Sequence, residues 1–225
     1  LILALARFLS RRPVPAGGYG LKRLVLPGLL ILIPMILIVE QPDLGTSLTT
    51  GGIGFLMLLF IGVRWKTLLS GALLIVAAVV PIWNYYLLPY QQARVLTLFD
   101  PGADPRGTGY HVIQSKIAVG SGALTGKGFL RGTQTQLQFL PEHTTDFIFS
   151  VLAEEWGFFG CFTVLSLYLL LIGLIMRVVN RCKDLFSALV CVGVAAMIFI
   201  QAAVNIGMVI GILPVVGITL PLFSY

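Results

Sequence analysis

Long apolar runs separated by short polar breaks set the pattern of this chain. Runs over Leu24–Val39, Thr46–Val63, Leu68 to about Leu88, Phe147 to about Val178 and Leu185–Ile210 are each long enough to cross a bilayer as a helix. Leu1–Leu9 reads as the tail of one more helix. Pro27 and Pro34 fall inside the Leu24–Val39 run, where a membrane helix tolerates proline if its neighbours satisfy the freed carbonyls. Gly51, Gly52 and Gly54 give the next run a face for close packing. Gln201 and Asn205 are four apart and share one helix face, which is expected to point into the bundle and away from lipid. Pro89 to Thr145 is the long non-apolar segment; its aliphatic and aromatic residues argue against disorder, and Tyr110–Val119 predicts a short amphipathic helix at the interface. Leu213–Tyr225, with Pro214, Gly217 and Pro221, predicts a broken or re-entrant segment.

Composition agrees. The chain is 57% hydrophobic and 11% charged, against about 25% charged in an ordinary soluble domain. The fold class is therefore an all-α, polytopic transmembrane helix bundle with one long extracytoplasmic loop over 89–146. The first residues begin in mid-helix and Pro221–Tyr225 carries no stop signal, so the chain reads as a single integral membrane domain over 1–225, truncated at both ends.

The formal charge of +6 would suit a nucleic-acid partner, but its distribution excludes one. With the Ser10–Arg23 loop in the cytoplasm, Arg7, Arg11, Arg12, Lys22, Arg23, Arg64, Lys66, Arg177, Arg181 and Lys183 all fall on that side. Every acidic residue except Asp184 falls on the other. The basic excess is a topology signal. Cys161, Cys182 and Cys191 have no metal-ligand spacing, and His111 and His143 lie too far apart in sequence to suggest zinc.

Candidate chemistry gathers in Phe139–Gly157, which closes the long loop, opens a hydrophobic helix and holds Glu142, Asp146, Glu154 and Glu155. Carboxylates at a membrane boundary are solvated, paired or used. Asp146 has two readings. It is an acid at a helix N-terminus, favoured by capping and the dipole, or it is a general base whose pKa is pushed up by adjacent hydrocarbon. Glu154 and Glu155 could share its face, as a carboxylate pair for sugar chemistry or beside a divalent ion, or they pair with cations of the loop. Gly120–Gly128 imitates a phosphate loop but fails the Walker pattern, with Ser121 where glycine is needed and Gly128 where Ser or Thr is needed. Lys127 and Arg131 could still meet an anionic headgroup, or belong to a loop that is merely flexible. Glu40 and Asp43 are turn residues on the same side as Asp146, and Asp43-Leu44-Gly45-Thr46 can start a helix.

Several of these motifs occur in order: Gln41-Pro42-Asp43-Leu44-Gly45-Thr46-Ser47, Asp100-Pro101 through Asp104-Pro105, Gly109-Tyr110-His111, Gln114-Ser115-Lys116-Ile117-Ala118, Phe139-Leu140-Pro141-Glu142, Thr145-Asp146-Phe147, Val204-Asn205-Ile206-Gly207 and Leu220-Pro221. This set resembles the SEDS family of shape, elongation, division and sporulation proteins, and it covers essentially the whole chain. Tyr110-His111 followed by Gln114–Ala118 is similar to the elongation branch.

The resemblance implies a bundle of about ten transmembrane helices. It implies an enzyme, a peptidoglycan glycosyltransferase of the bacterial cytoplasmic membrane that polymerises lipid II on the outer face during elongation and so maintains cell shape. The partners it implies are a class B penicillin-binding protein transpeptidase, the elongation machinery and membrane lipid. The family's essential aspartate falls on Asp146. Charge and location, not the resemblance, add Lys116, Lys127, Arg131, Glu142 and Asp43 as candidate substrate-binding residues, with or without a divalent cation, Mg or Mn, beside the diphosphate; no other cofactor is implied. One departure is His143-Thr144-Thr145-Asp146, where the family has His-Thr-Asp, so no role passes to His143. The alternatives are a lipid II flippase and a non-catalytic scaffold for the transpeptidase. Few ionisable groups lie within the spans, which favours surface chemistry over transport.

Overall fold

The computed structural model describes residues 1–12, 17–100, 102, 108–132 and 146–224. Among them are α1 (Ile2–Ser10), α2 (Leu21–Val39), α3 (Leu44–Ile61), α4 (Trp65–Tyr85), α5 (Pro89–Phe99), α6 (Thr108–Ser121), α7 (Ile148–Val179) and α8 (Leu185–Val209). A parallel bridge between Tyr19 and Val63 is the one piece of β pairing recorded in these residues. Helices α2, α3, α4, α7 and α8 are long and apolar enough to cross a membrane, with mean hydropathies of 1.7 to 2.4. The all-α membrane bundle read from the sequence is the fold found.

The chain divides into two compact units, Leu1–Leu87 with Ile172–Ile200, and Leu88–Leu171 with Gln201–Tyr225. In the first, α1, α2 and α3 pack around Leu5, Leu9, Ile31, Met57, Leu189 and Val192. The glycines of α3 are what let α2 come close. A Cβ at Gly54 would stand 2.6 Å from Ile31 Cγ1, and one at Gly51 2.6 Å from Met35 Sδ. Pro27 and Pro34 lie within α2 without ending it. Helix α4 buries none of its residues within the chain; hydrophobic all round, it is suited to lipid.

These glycines give a paired prediction. Gly54→Ala overpacks the α2–α3 contact and should destabilise by about 1–3 kcal/mol. Gly71→Ala in α4, where an added Cβ meets nothing within 4 Å, should be neutral or stabilise by up to about 1 kcal/mol through helix propensity. Thermal unfolding of the detergent-solubilised protein checks both.

In the second unit α5 packs on α6. Ser115, fully buried, donates from Oγ to the Val209 carbonyl at 2.7 Å and ties α6 to the end of α8. Gly211, at φ +73°, closes α8, and the Ile212 N–H returns to the Gly207 carbonyl at 2.8 Å. The remainder to Ser224 is irregular, as Pro214, Gly217 and Pro221 lead one to expect. Ile218 and Leu220 bury it, and the Tyr168 hydroxyl donates to the Pro221 carbonyl.

Candidate active site

Helix α7 is 32 residues long, about 48 Å at the usual rise and well beyond the 30 Å of a hydrocarbon core. It breaks at Gly157, whose φ of 62° and ψ of −158° suit glycine alone. A break inside an apolar helix strands backbone groups that must find partners. Loop 122–128 supplies them. The Phe158 and Phe159 N–H groups donate to the Ala123 and Leu124 carbonyls at 2.9 and 3.2 Å. The Glu154 and Glu155 carbonyls accept from the Lys127 and Gly128 N–H groups, both at 3.0 Å.

Such closeness requires glycine on both sides. A Cβ at Gly122 would run into the Ala153 carbonyl, one at Gly126 into the Glu155 carbonyl, and one at Gly157 into Gly126 N. Lys127 completes the joint, with Nζ 2.7 Å from Oε1 of the fully buried Glu154. The glycine-rich stretch that imitates a phosphate loop is therefore the partner of a broken helix. Glu154 takes the paired role, and Glu155 is buried beside it in sequence.

Asp146 lies two residues before α7. Its main chain is fixed from α8: Asn205, fully buried, donates from Nδ2 to the Asp146 carbonyl at 2.8 Å and to the Ile218 carbonyl at 2.6 Å. One amide thus joins the start of α7 to the irregular 210–224 segment. That segment also meets the carboxylate. A Cβ at Gly217, where φ is +69°, would stand 3.5 Å from Asp146 Oδ2. On the α6 side the His111 ring lies 6.2 Å from that of Phe147, centroid to centroid. Lys116, exposed, lays its side chain so closely over Gly211 that a Cβ there would collide with it.

Asp146, Lys116, Lys127 and Arg131 thus all belong to the second unit, and Arg131 is exposed. Asp43 belongs to the first, where its Oδ1 caps α3 by accepting from the Thr46 N–H at 3.0 Å. Glu142 and His143 lie outside the described residues. Among the described residues no three His, Cys, Asp or Glu side chains gather as a metal site would need.

Sequence reasoning gave His111 no role at the site; it entered only as part of a motif and as an argument against zinc. It gave Asn205 a direction but no partner. His111 Nδ1 and Asn205 Oδ1 are buried without a hydrogen-bond partner within the protein, as is the Tyr19 hydroxyl in the first unit. Asn205→Leu should remove both donors from buried carbonyls and destabilise by about 1–3 kcal/mol. Limited proteolysis should then cut 210–224 sooner than in the wild type.

Four similarities bear on this arrangement. The family model covering FtsW, RodA and SpoVE, described as cell cycle protein, matches residues 1–225. The peptidoglycan glycosyltransferase MrdB of Escherichia coli K12 is 48% identical over 224 residues, covering 99% of this chain and 60% of MrdB. Among solved structures, a peptidoglycan synthase complex that coordinates polymerization and crosslinking matches with a TM-score of 0.76 at 37% identity, over 100% of this chain and 61% of that one. RodA of Thermus thermophilus matches with a TM-score of 0.62 at 31% identity, over 100% of this chain and 55% of RodA. The chain thus spans about 60% of the length of the curated relative.

Proposed function

The chain belongs to the FtsW/RodA/SpoVE family of cell cycle proteins and is a multi-pass bacterial membrane protein; from that premise we propose that it forms the catalytic core of a peptidoglycan glycosyltransferase that polymerises lipid II during cell elongation. The observation that carries the reading is the mounting of Asp146. Its carbonyl is held by a buried amide, and its carboxylate lies against the backbone at Gly217, in the unit that also holds Lys116, Lys127 and Arg131. A general base must be held in position before its basicity matters.

In the proposed reaction the 4-hydroxyl of an acceptor GlcNAc attacks C1 of the donor MurNAc. The new glycosidic bond forms as the C1–O bond to undecaprenyl diphosphate breaks, and Asp146 takes the hydroxyl proton. The leaving diphosphate carries the growing negative charge. Lys116 and Arg131, both exposed, offset it. Lys127 enters with its charge already shared with Glu154, so its larger contribution is to hold the loop. Glu142 is a further proposed substrate contact.

The positive-inside arrangement supports placing Asp146 on the outer face of the membrane. A class B penicillin-binding protein, acting with the elongation machinery, would cross-link the strands. The test is lipid II polymerisation by the full-length protein with that partner, its own cross-linking blocked. Glycan strands are the expected product. No strands, together with passage of labelled lipid II across liposomes, would make the protein a transporter instead.

A further inference from the structure

The first unit holds a second built feature, at the basic ends of α2, α3 and α4. Residues 18–20 are pinned to the turn 62–64. The Tyr19 N–H donates to the Gly62 carbonyl at 2.9 Å, the Arg64 N–H to the Tyr19 carbonyl at 3.2 Å, and Arg64 Nε to the Gly18 carbonyl at 3.1 Å. Gly18, at φ +85°, allows this approach, since a Cβ there would stand 2.9 Å from the Gly62 carbonyl. The result is a cavity of about 360 Å³ lined by Gly18, Gly20, Leu21, Lys22, Arg23 and Arg64. Three of its six described lining residues are cations, and none of the six is acidic.

A second cavity, about 630 Å³, begins one residue further along each element. Leu24 follows Arg23, and Val63 and Trp65 flank Arg64. It continues between α2, α3 and α4 past Phe55 and Leu59 to Ile75, and its lining is almost wholly apolar. Both volumes fall in the range of about 300–1,000 Å³ typical of small-molecule sites.

We infer that the two cavities form one binding site for a single anionic phospholipid, its phosphate among Lys22, Arg23 and Arg64 and an acyl chain in the groove between α2, α3 and α4. Ordinary membrane lipid covers any apolar face and needs neither concavity nor charge. Here Leu24, Val63 and Trp65 of the groove are chain neighbours of Arg23 and Arg64 in a cluster of three cations, and basic pockets between membrane helices are suited to anionic headgroups. A soluble phosphate would match the cations and leave the groove unexplained. The same cations that orient the chain in the membrane thereby select a lipid, which their count alone does not require.

The test is native mass spectrometry of the full-length protein titrated with phosphatidylglycerol and with phosphatidylcholine of the same chains. Phosphatidylglycerol should bind more tightly to the wild type. Lys22→Gln with Arg23→Gln should weaken it about 30-fold, at roughly one kcal/mol for each cation, and leave phosphatidylcholine unchanged. Gly71→Leu fills the groove from a position with open space around it and should weaken both lipids with the cations intact. Equal binding of the two lipids by the wild type, an unchanged preference in the double variant, or full displacement of the lipid by millimolar glycerol phosphate would each overturn the inference.

Discussion

Asp146→Asn should lower glycan-strand formation from lipid II by roughly 10²–10⁴-fold, the usual contribution of a general base. The fold should survive the change. Asn205 holds Asp146 through its carbonyl, which the substitution leaves in place. Asparagine also serves as well as aspartate at a helix start, so a role confined to capping α7 predicts near-normal activity. Asp146→Ala should give the same loss of strands. The assay is strand length on gels, with the full-length protein bound to a transpeptidase partner whose cross-linking is blocked. Strands at half the wild-type level or more from the asparagine variant would leave Asp146 as a helix-end residue and nothing else.

The second large effect is expected at the joint between loop and helix. Lys127→Met takes the ion-pair partner from a glutamate with no exposed surface. Breaking a buried pair from one side typically costs about 3–5 kcal/mol, because the remaining charge stays out of water. Adding Glu154→Gln should return most of that loss, since the neutral amide has no charge to desolvate. The single and double variants form a cycle whose coupling is readable by thermal unfolding. Single-variant losses below about 1 kcal/mol would instead class the pair with exposed ion pairs, and the backbone bonds of loop 122–128 would then carry the joint alone.

Much of this architecture was legible in the sequence. The five spans lie where the apolar runs place them, because twenty-odd apolar residues in lipid leave the backbone no alternative to helix. The ends differ by a few residues. Helix α4 starts at Trp65 where the sequence suggests Leu68, since Trp65-Lys66-Thr67 reads as a basic turn yet continues the helix. The short helix expected at Tyr110–Val119 forms and extends to Thr108–Ser121. The packing role of Gly51 and Gly54 was visible in their spacing.

The break in α7 was not visible. Gly157 in an apolar run looks like any packing glycine, and the loop that explains it lies some thirty residues earlier. For the same reason Glu154 could be given a choice of partners but not Lys127 in particular. The i, i+4 pair of Gln201 and Asn205 showed a direction, and Asn205 is fully buried as expected. Its two acceptors sit on segments 59 and 13 residues away, a pairing that no local pattern encodes. His111 meets Phe147 only through the packing of α6.

The joint at Gly157 also constrains which parts of the surface can work as a gate. A helix whose interrupted bonds are closed by a distant stretch of chain cannot slide or unwind alone; 122–128 and 154–159 must travel as one rigid block. Any flap over the proposed site therefore has its hinges elsewhere. A reporter peptide spliced between Gly122 and Gly128 would act as a wedge in a structural seam, whereas a label on exposed Arg131 would ride on the block without parting it.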